Sequence, residues 1–188
     1  MKKQTTLFAG TTLILVLVLV FSSILLIQGC SSLSYYQQAI AGQYKILSNR
    51  VDIESLIADE NTSTELKHKL EKARQIRTFA ATEMHMNIGK NYSQYSDTKR
   101  DYVVWNITAA PELSLIPHQW CYPVIGCQNY RGYFKPETAE SEAEQLQQQG
   151  FDVWVGGVTA YSTLGWFDDP ILNTFVYRGD SDLAALLI

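Results

Sequence analysis

Asp168 and Asp169, adjacent in GWFDDP, are of a type that can hold a cation, exchange a proton or receive a positively charged group. A D-D-P run is also ordinary turn chemistry. Pro170 directs Asp169 to extended geometry, and aspartate side chains satisfy nearby backbone N–H groups. Both readings stand at this stage. The three histidines, His68, His85 and His118, include no pair at metal-binding helical spacing. His68 falls on the polar side of a charged helix, His85 lies between two methionines, and His118 follows Pro117 in an aromatic-rich stretch. Each reads as a surface or packing residue. Ser162 lacks the glycine flanks of a nucleophile elbow, and the chain has no H-E-x-x-H, G-x-S-x-G, P-loop or G-x-G-x-x-G. No catalytic residue and no metal ligand can be assigned within these 188 residues. Asn61-Thr62-Ser63, Asn91-Tyr92-Ser93 and Asn106-Ile107-Thr108 match a glycosylation acceptor only by pattern.

The formal charge is −4, with 18% charged residues and no basic cluster, which argues against nucleic acid as a partner. One block carries much of the hydrophobic content. From Leu7 to Ile27 no residue is charged, and Lys2 and Lys3 precede the run. Its 21 residues make about 31 Å of helix, enough for a permanent span as well as for a signal peptide. Ile27-Gln28-Gly29-Cys30 follows directly and resembles the lipobox of bacterial lipoproteins, with Gln28 a less usual occupant of its slot. That resemblance implies a signal peptide over 1–29 and a mature chain, 30–188, acylated at Cys30. Two acyl chains give stable attachment to a lipid bilayer where one does not. Ser31 implies transfer to the outer membrane, facing the periplasm. The alternative is an uncleaved single-pass anchor.

In such an oxidising compartment Cys121 and Cys127, in WCYPVIGC, read as a disulfide closing a small loop, with a loop-entropy contribution of about 2 kcal/mol. Two buried free thiols are an alternative. A zinc pair is a weaker one, because no second ligand pair accompanies it.

The elements that must position these residues are legible from periodicity. Tyr36, Ile40, Tyr44 and Leu47 share one face of a helix, VDIESLIAD reads as a short helix, and Thr62 with Glu65 reads as a capping box. That box opens a helix striped by Leu66, Leu70, Ala73, Ile76 and Ala80. Residues 33–87 are therefore expected to form a helical hairpin or small bundle. DYVVWNITA is β-branched and aromatic and predicts a strand, and the segment from Pro111 to Phe134 predicts further strands with tight turns. Pro136 opens a helix carrying Ala139, Ala143 and Leu146 that Gly150 closes, and FDVWV alternates as a half-buried strand. The expected class is α+β: a helical part over 33–87, then an α/β part over 101–188 with a small mixed sheet and one crossing helix. Asp180 or Ser181 is expected to cap a last helix of about eight residues, below the ~12–15 that hold alone.

WCYPVIGCQNYRGYF followed by AYSTLGWFDDPIL, behind the lipobox and YYQQAIAGQYKIL, resembles a family of bacterial lipoproteins described as zinc-dependent aminopeptidases. The resemblance covers essentially the whole mature chain. It implies a zincin-like metallopeptidase scaffold and, for full-length members, a zinc cofactor, a peptide substrate and a helix of the form L-x-x-L-I-F-H-E-x-x-H. Leu183, Leu186, Leu187 and Ile188 match the start of that helix, so the expectation is a chain cut before the metal-binding turn and inactive alone. The alternatives are a packed C-terminal tail and a non-catalytic envelope lipoprotein using an aromatic face around Trp120, Tyr130, Tyr133 and Trp166. By analogy with zinc peptidases, AYSTLGWFDDP is expected as an extended segment lining a substrate cleft: Tyr161, Ser162, Thr163, Gly165, Trp166, Phe167, Asp168 and Asp169. There Trp166 and Phe167 would wall an apolar pocket, and an acid would receive a free α-amino group. The other reading is that STLGW merely packs the sheet against the helix.

Overall fold

The computed structural model describes residues 33–122 and 125–188, so Cys30 and the run from Leu7 to Ile27 lie outside the described residues. Helix α1 spans 33–48. Strand β1 (Arg50–Asp52) follows and leads into α2 (Ile53–Ala58). Asp52 ends the strand and caps the helix, its carboxylate accepting from the N–H groups of Glu54 at 2.9 Å and Ser55 at 3.3 Å. Helix α3 (Thr64–Thr82) is capped by Ser63, whose hydroxyl accepts from Leu66 N–H. The cap is thus one residue later than the Thr62 expected from the capping-box pattern. Both hydroxyl residues offer the same chemistry, and the chain's exit from the 59–62 turn selects between them.

Three small sheets follow rather than one. Strand β2 (Gln94–Ser96) pairs antiparallel with β1 and parallel with β8 (Ile171–Leu172). Strand β3 (Val104–Pro111) pairs antiparallel with β6 (Arg131–Tyr133) on one side and β7 (Phe151–Val158) on the other. Strands β4 (Trp120–Tyr122) and β5 (Gly126–Gln128) form a hairpin in which Cys121 faces Cys127 and the two are joined by a disulfide. Helix α4 (Pro136–Gln148) has proline in its first turn, ends before Gly150 at φ +86°, and packs on β3, β6 and β7. The chain closes with α5 (Asn173–Val176) and α6 (Asp180–Leu187). The result is a mixed α+β architecture with six helices and small sheets among the described residues.

Residues 41–188 form one unit with two buried regions. Around β1, β2 and β8 the core gathers Ile46, Ile53, Leu70, Ala73, Tyr95, Ile171, Phe175, Val176, Leu183 and Leu187. Around β3 it is Ile107, Ala109, Tyr133 and the α4 stripe Ala139, Ala143 and Leu146. The α3 stripe holds as expected: Leu70, Ala73 and Ala80 are fully buried. The α1 stripe does not. Tyr36, Ile40 and Tyr44 are exposed, and Ile46 supplies the core contact instead. Gly42 explains the shift, since a Cβ there would run into the Phe134 ring.

Helix α6 begins at Asp180, but its cap position is Gly179 and no side chain caps it. Asp180 turns instead to Lys69 at 3.3 Å and Lys72 at 3.5 Å on α3. The hydrogen bond from Lys69 holds its carboxyl below the usual aspartate value. Burial of Leu183 and Leu187 against α3 lets so short a helix persist.

Candidate functional site

The segment after β7 is not an extended strand. Residues 159–170 contain turns, with Leu164 at φ +55° and Gly165 at φ +81°. The sequence leaves that reversal open to glycine alone; a leucine in the left-handed region persists only where its surroundings fix it. What fixes it is Asp169.

The two adjacent acids, equivalent in the sequence, part company here. Asp169 is 8% exposed, and its carboxylate accepts from Ser162 Oγ at 3.2 Å, Thr163 N–H at 3.0 Å and Thr163 Oγ1 at 2.7 Å. Thr163 Oγ1 also accepts from Phe167 N–H at 3.2 Å and lies 3.2 Å from Phe167 O, while Trp166 N–H donates to Thr163 O. The loop is therefore closed on itself from within. Asp168 points outward and is exposed, contributing its carbonyl to Arg50 Nη1 at 3.2 Å.

The loop base is tied to a distant turn. Asp169 N–H donates to Asn91 Oδ1 at 2.8 Å, and Tyr92 N–H donates to Asp169 O at 2.7 Å. Arg77 of α3 braces that turn, donating from Nε to Asn91 O at 2.7 Å and from Nη2 to Gly89 O at 3.3 Å. The guanidinium charge strengthens the two Arg77 bonds. Two phenols border the carboxylate. Burial first, then the Asp169 charge, raises both Tyr92 and Tyr161 above the usual tyrosine value, with Arg100 opposing the rise at Tyr161. The Tyr161 ring meets Phe134 edge-on at 5.9 Å. Arg100 donates to the Phe134 carbonyl and lies 5.7 Å above the Trp105 ring.

Above this polar base the loop shows an apolar crest. Leu164, Trp166 and Phe167 are exposed, Trp166 at 67%. Immediately upstream in the chain, β7 is the edge of its sheet among the described residues, where β3 is its one ladder partner. An eight-residue edge strand leading into a rigid loop with exposed aromatics can receive an extended chain by backbone pairing, with side-chain selection at the crest.

Of the sequence-selected residues, the structure brings Tyr161, Ser162, Thr163 and Asp169 together at the loop base and leaves Gly165, Trp166, Phe167 and Asp168 at its outer surface. Arg77 and Asn91 escaped sequence reasoning. Asn91 lies 78 positions from Asp169, and no local pattern marks a pairing at that distance. The aromatic face expected around Trp120, Tyr130, Tyr133 and Trp166 does not form, because Trp120 and Tyr133 are buried core residues. Large apolar rings at half-buried strand positions satisfy packing before binding.

Among the described residues no group of three or more His, Cys, Asp or Glu side chains is gathered where it could hold a metal ion. His118 is edge-on to Trp120 at 4.6 Å and Phe151 at 5.1 Å, an aromatic packing role. The described residues therefore offer no ligand set for a zinc ion. Residues 34–188 match the family model described as "Putative aminopeptidase". No curated protein and no solved structure matches the chain.

Proposed function

This chain belongs to that aminopeptidase family, and on this premise we propose that residues 34–188 are the peptide-recognition part of a lipid-anchored peptidase of the bacterial envelope. The observation that carries the reading is the 162–169 loop: a crest of Leu164, Trp166 and Phe167 held rigid by a buried carboxylate, next in sequence to the open edge of β7. A peptide backbone pairs along β7, an apolar side chain packs against Trp166 and Phe167, and the exposed Asp168 carboxylate attracts a free α-amino group. Asp169 is a positioning residue in this scheme, since its acceptor capacity is taken up by the loop. Edge strand, loop and following helix come in the order of a zincin-like scaffold, which forms part of the proposal.

Zinc has no ligand set among the described residues, so no residue of 34–188 receives a metal-binding or hydrolytic role. The segment binds peptide and does not cleave it by itself. Attachment is proposed at Cys30 through the lipobox, in the outer membrane facing the periplasm. Purified mature protein is assayed for peptide binding through the anisotropy of fluorescently labelled peptides, for zinc content and for aminopeptidase turnover. Binding of peptides with an apolar first residue, lost in Trp166→Ala, is the expected result. Stoichiometric zinc with chelator-sensitive turnover would overturn the reading of a segment that binds peptide without cleaving it. A non-catalytic envelope module is the second reading, and it predicts no aminopeptidase turnover in any member of the family.

A further inference from the structure

A second apolar projection lies at the other end of the β3–β7 ladder. Val104 pairs with Val158 where the 159–169 loop begins, and Pro111 pairs with Phe151 seven residues along. At ~3.4 Å per residue this places the two ends about 24 Å apart. From the far end springs the segment PELSLIP, residues 111–117, between two prolines. In it Leu113 and Leu115 are each 101% exposed and Ile116 is 77% exposed.

The root of this projection is built. His118 N–H donates to Ala109 O at 2.7 Å, and the His118 ring is edge-on to Trp120 and Phe151. Ser114 N–H donates to Pro111 O at 3.0 Å and Ile116 N–H to Ser114 Oγ at 3.1 Å, which curls the backbone inward and the aliphatic side chains outward. Leu113 stands at φ +60°, a conformation a leucine rarely adopts. Three large aliphatics held in water on a shaped loop require a cover.

We propose that this tip inserts into the lipid bilayer that carries the protein. The inference rests on the attachment proposed at Cys30, three positions before the described residues begin, which confines the folded part to a membrane surface. Glu112 is the one charged residue of 111–117 and no lysine or arginine accompanies it, so the contact is with acyl chains and not with anionic headgroups. Insertion at this end turns the 162–168 crest toward the aqueous side, where peptides arrive.

The test uses the mature acylated protein and its Leu115→Trp variant in vesicles of phosphatidylethanolamine and phosphatidylglycerol, with and without lipids brominated along the acyl chain. The expected result is that the added indole emits as in an apolar medium and loses most of its intensity to brominated lipid, equally at low and high salt. Water-like, unquenched emission from protein that sediments with the vesicles overturns the tip and leaves the attachment standing. Protein that neither carries acyl chains by mass spectrometry nor sediments overturns both. Apolar emission without lipid quenching, together with a doubled particle mass in detergent, overturns insertion in favour of a second copy covering the tip.

Discussion

Two loops leave opposite ends of the β3–β7 ladder, and each displays large apolar side chains to solvent. They are held by different physics. The 162–169 loop is fixed by side chains: a buried carboxylate with three donors, a threonine hydroxyl bridging the turn, and a distant asparagine at its base. The 111–117 tip is fixed mainly by local chain geometry, through a proline at each end, two hydrogen bonds within the loop and an aromatic root at His118. A loop that depends on one buried charge is sensitive to single substitutions. One that depends on chain geometry tolerates changes in the side chains it displays.

Substitution at Asp169 puts that contrast to its severest trial. Asp169→Ala strands the Thr163 N–H and two hydroxyls and is expected to cost about 3 kcal/mol in urea unfolding, with Asp169→Asn recovering part of it. A loss below about 0.5 kcal/mol would erase the distinction between the loops. At the base, Asn91→Ala removes the acceptor of Asp169 N–H and is expected to cost about 1–2 kcal/mol, with faster hydrogen exchange at Tyr92 and Asp169.

The phenol beside the loop gives a pH signature that the tip lacks. Burial raises Tyr161 above its ordinary 10.0, so above that pH the unfolded chain releases its proton first while the folded chain keeps it. The stability this group contributes is whole below pH ~10 and is lost as pH rises toward the folded value, by up to about 1.4 kcal/mol per pH unit. Tyr161→Phe should flatten that alkaline limb, read from denaturation midpoints between neutral and alkaline pH. The smallest effect belongs to the tip: Leu115→Ser should change the stability of the detergent-solubilised protein by no more than about 0.5 kcal/mol. A larger loss would mean that the tip packs within the fold.

Much of the framework is legible in the order of residues alone. The stripe Leu66, Leu70, Ala73, Ile76, Ala80, the proline-to-glycine helix over 136–150 and the alternation of FDVWV carry their own periods, and each occurs where those periods place it. Local pattern failed where one residue type could serve in two places. Thr62 and Ser63 offer equal caps, and Asp168 and Asp169 equal carboxylates. In α1 the apolar face chosen by spacing is exposed, because the small side of the helix at Gly42 is the one that admits Phe134.

The chain's order of residues determined its α+β class, its long elements and its family, since these follow from periodicity and from extended motifs that neighbouring residues carry among themselves. Only the folded arrangement decided the three-residue strands β1 and β2 and the two-residue β8, which acquire their pairing from partners far along the chain. It also decided which aspartate is buried and which faces water, because burying a carboxylate is tolerable only where donors converge: Ser162 and Thr163 reach Asp169 only once the loop reverses, and its base is held by Asn91, 78 positions away, which accepts from the Asp169 N–H.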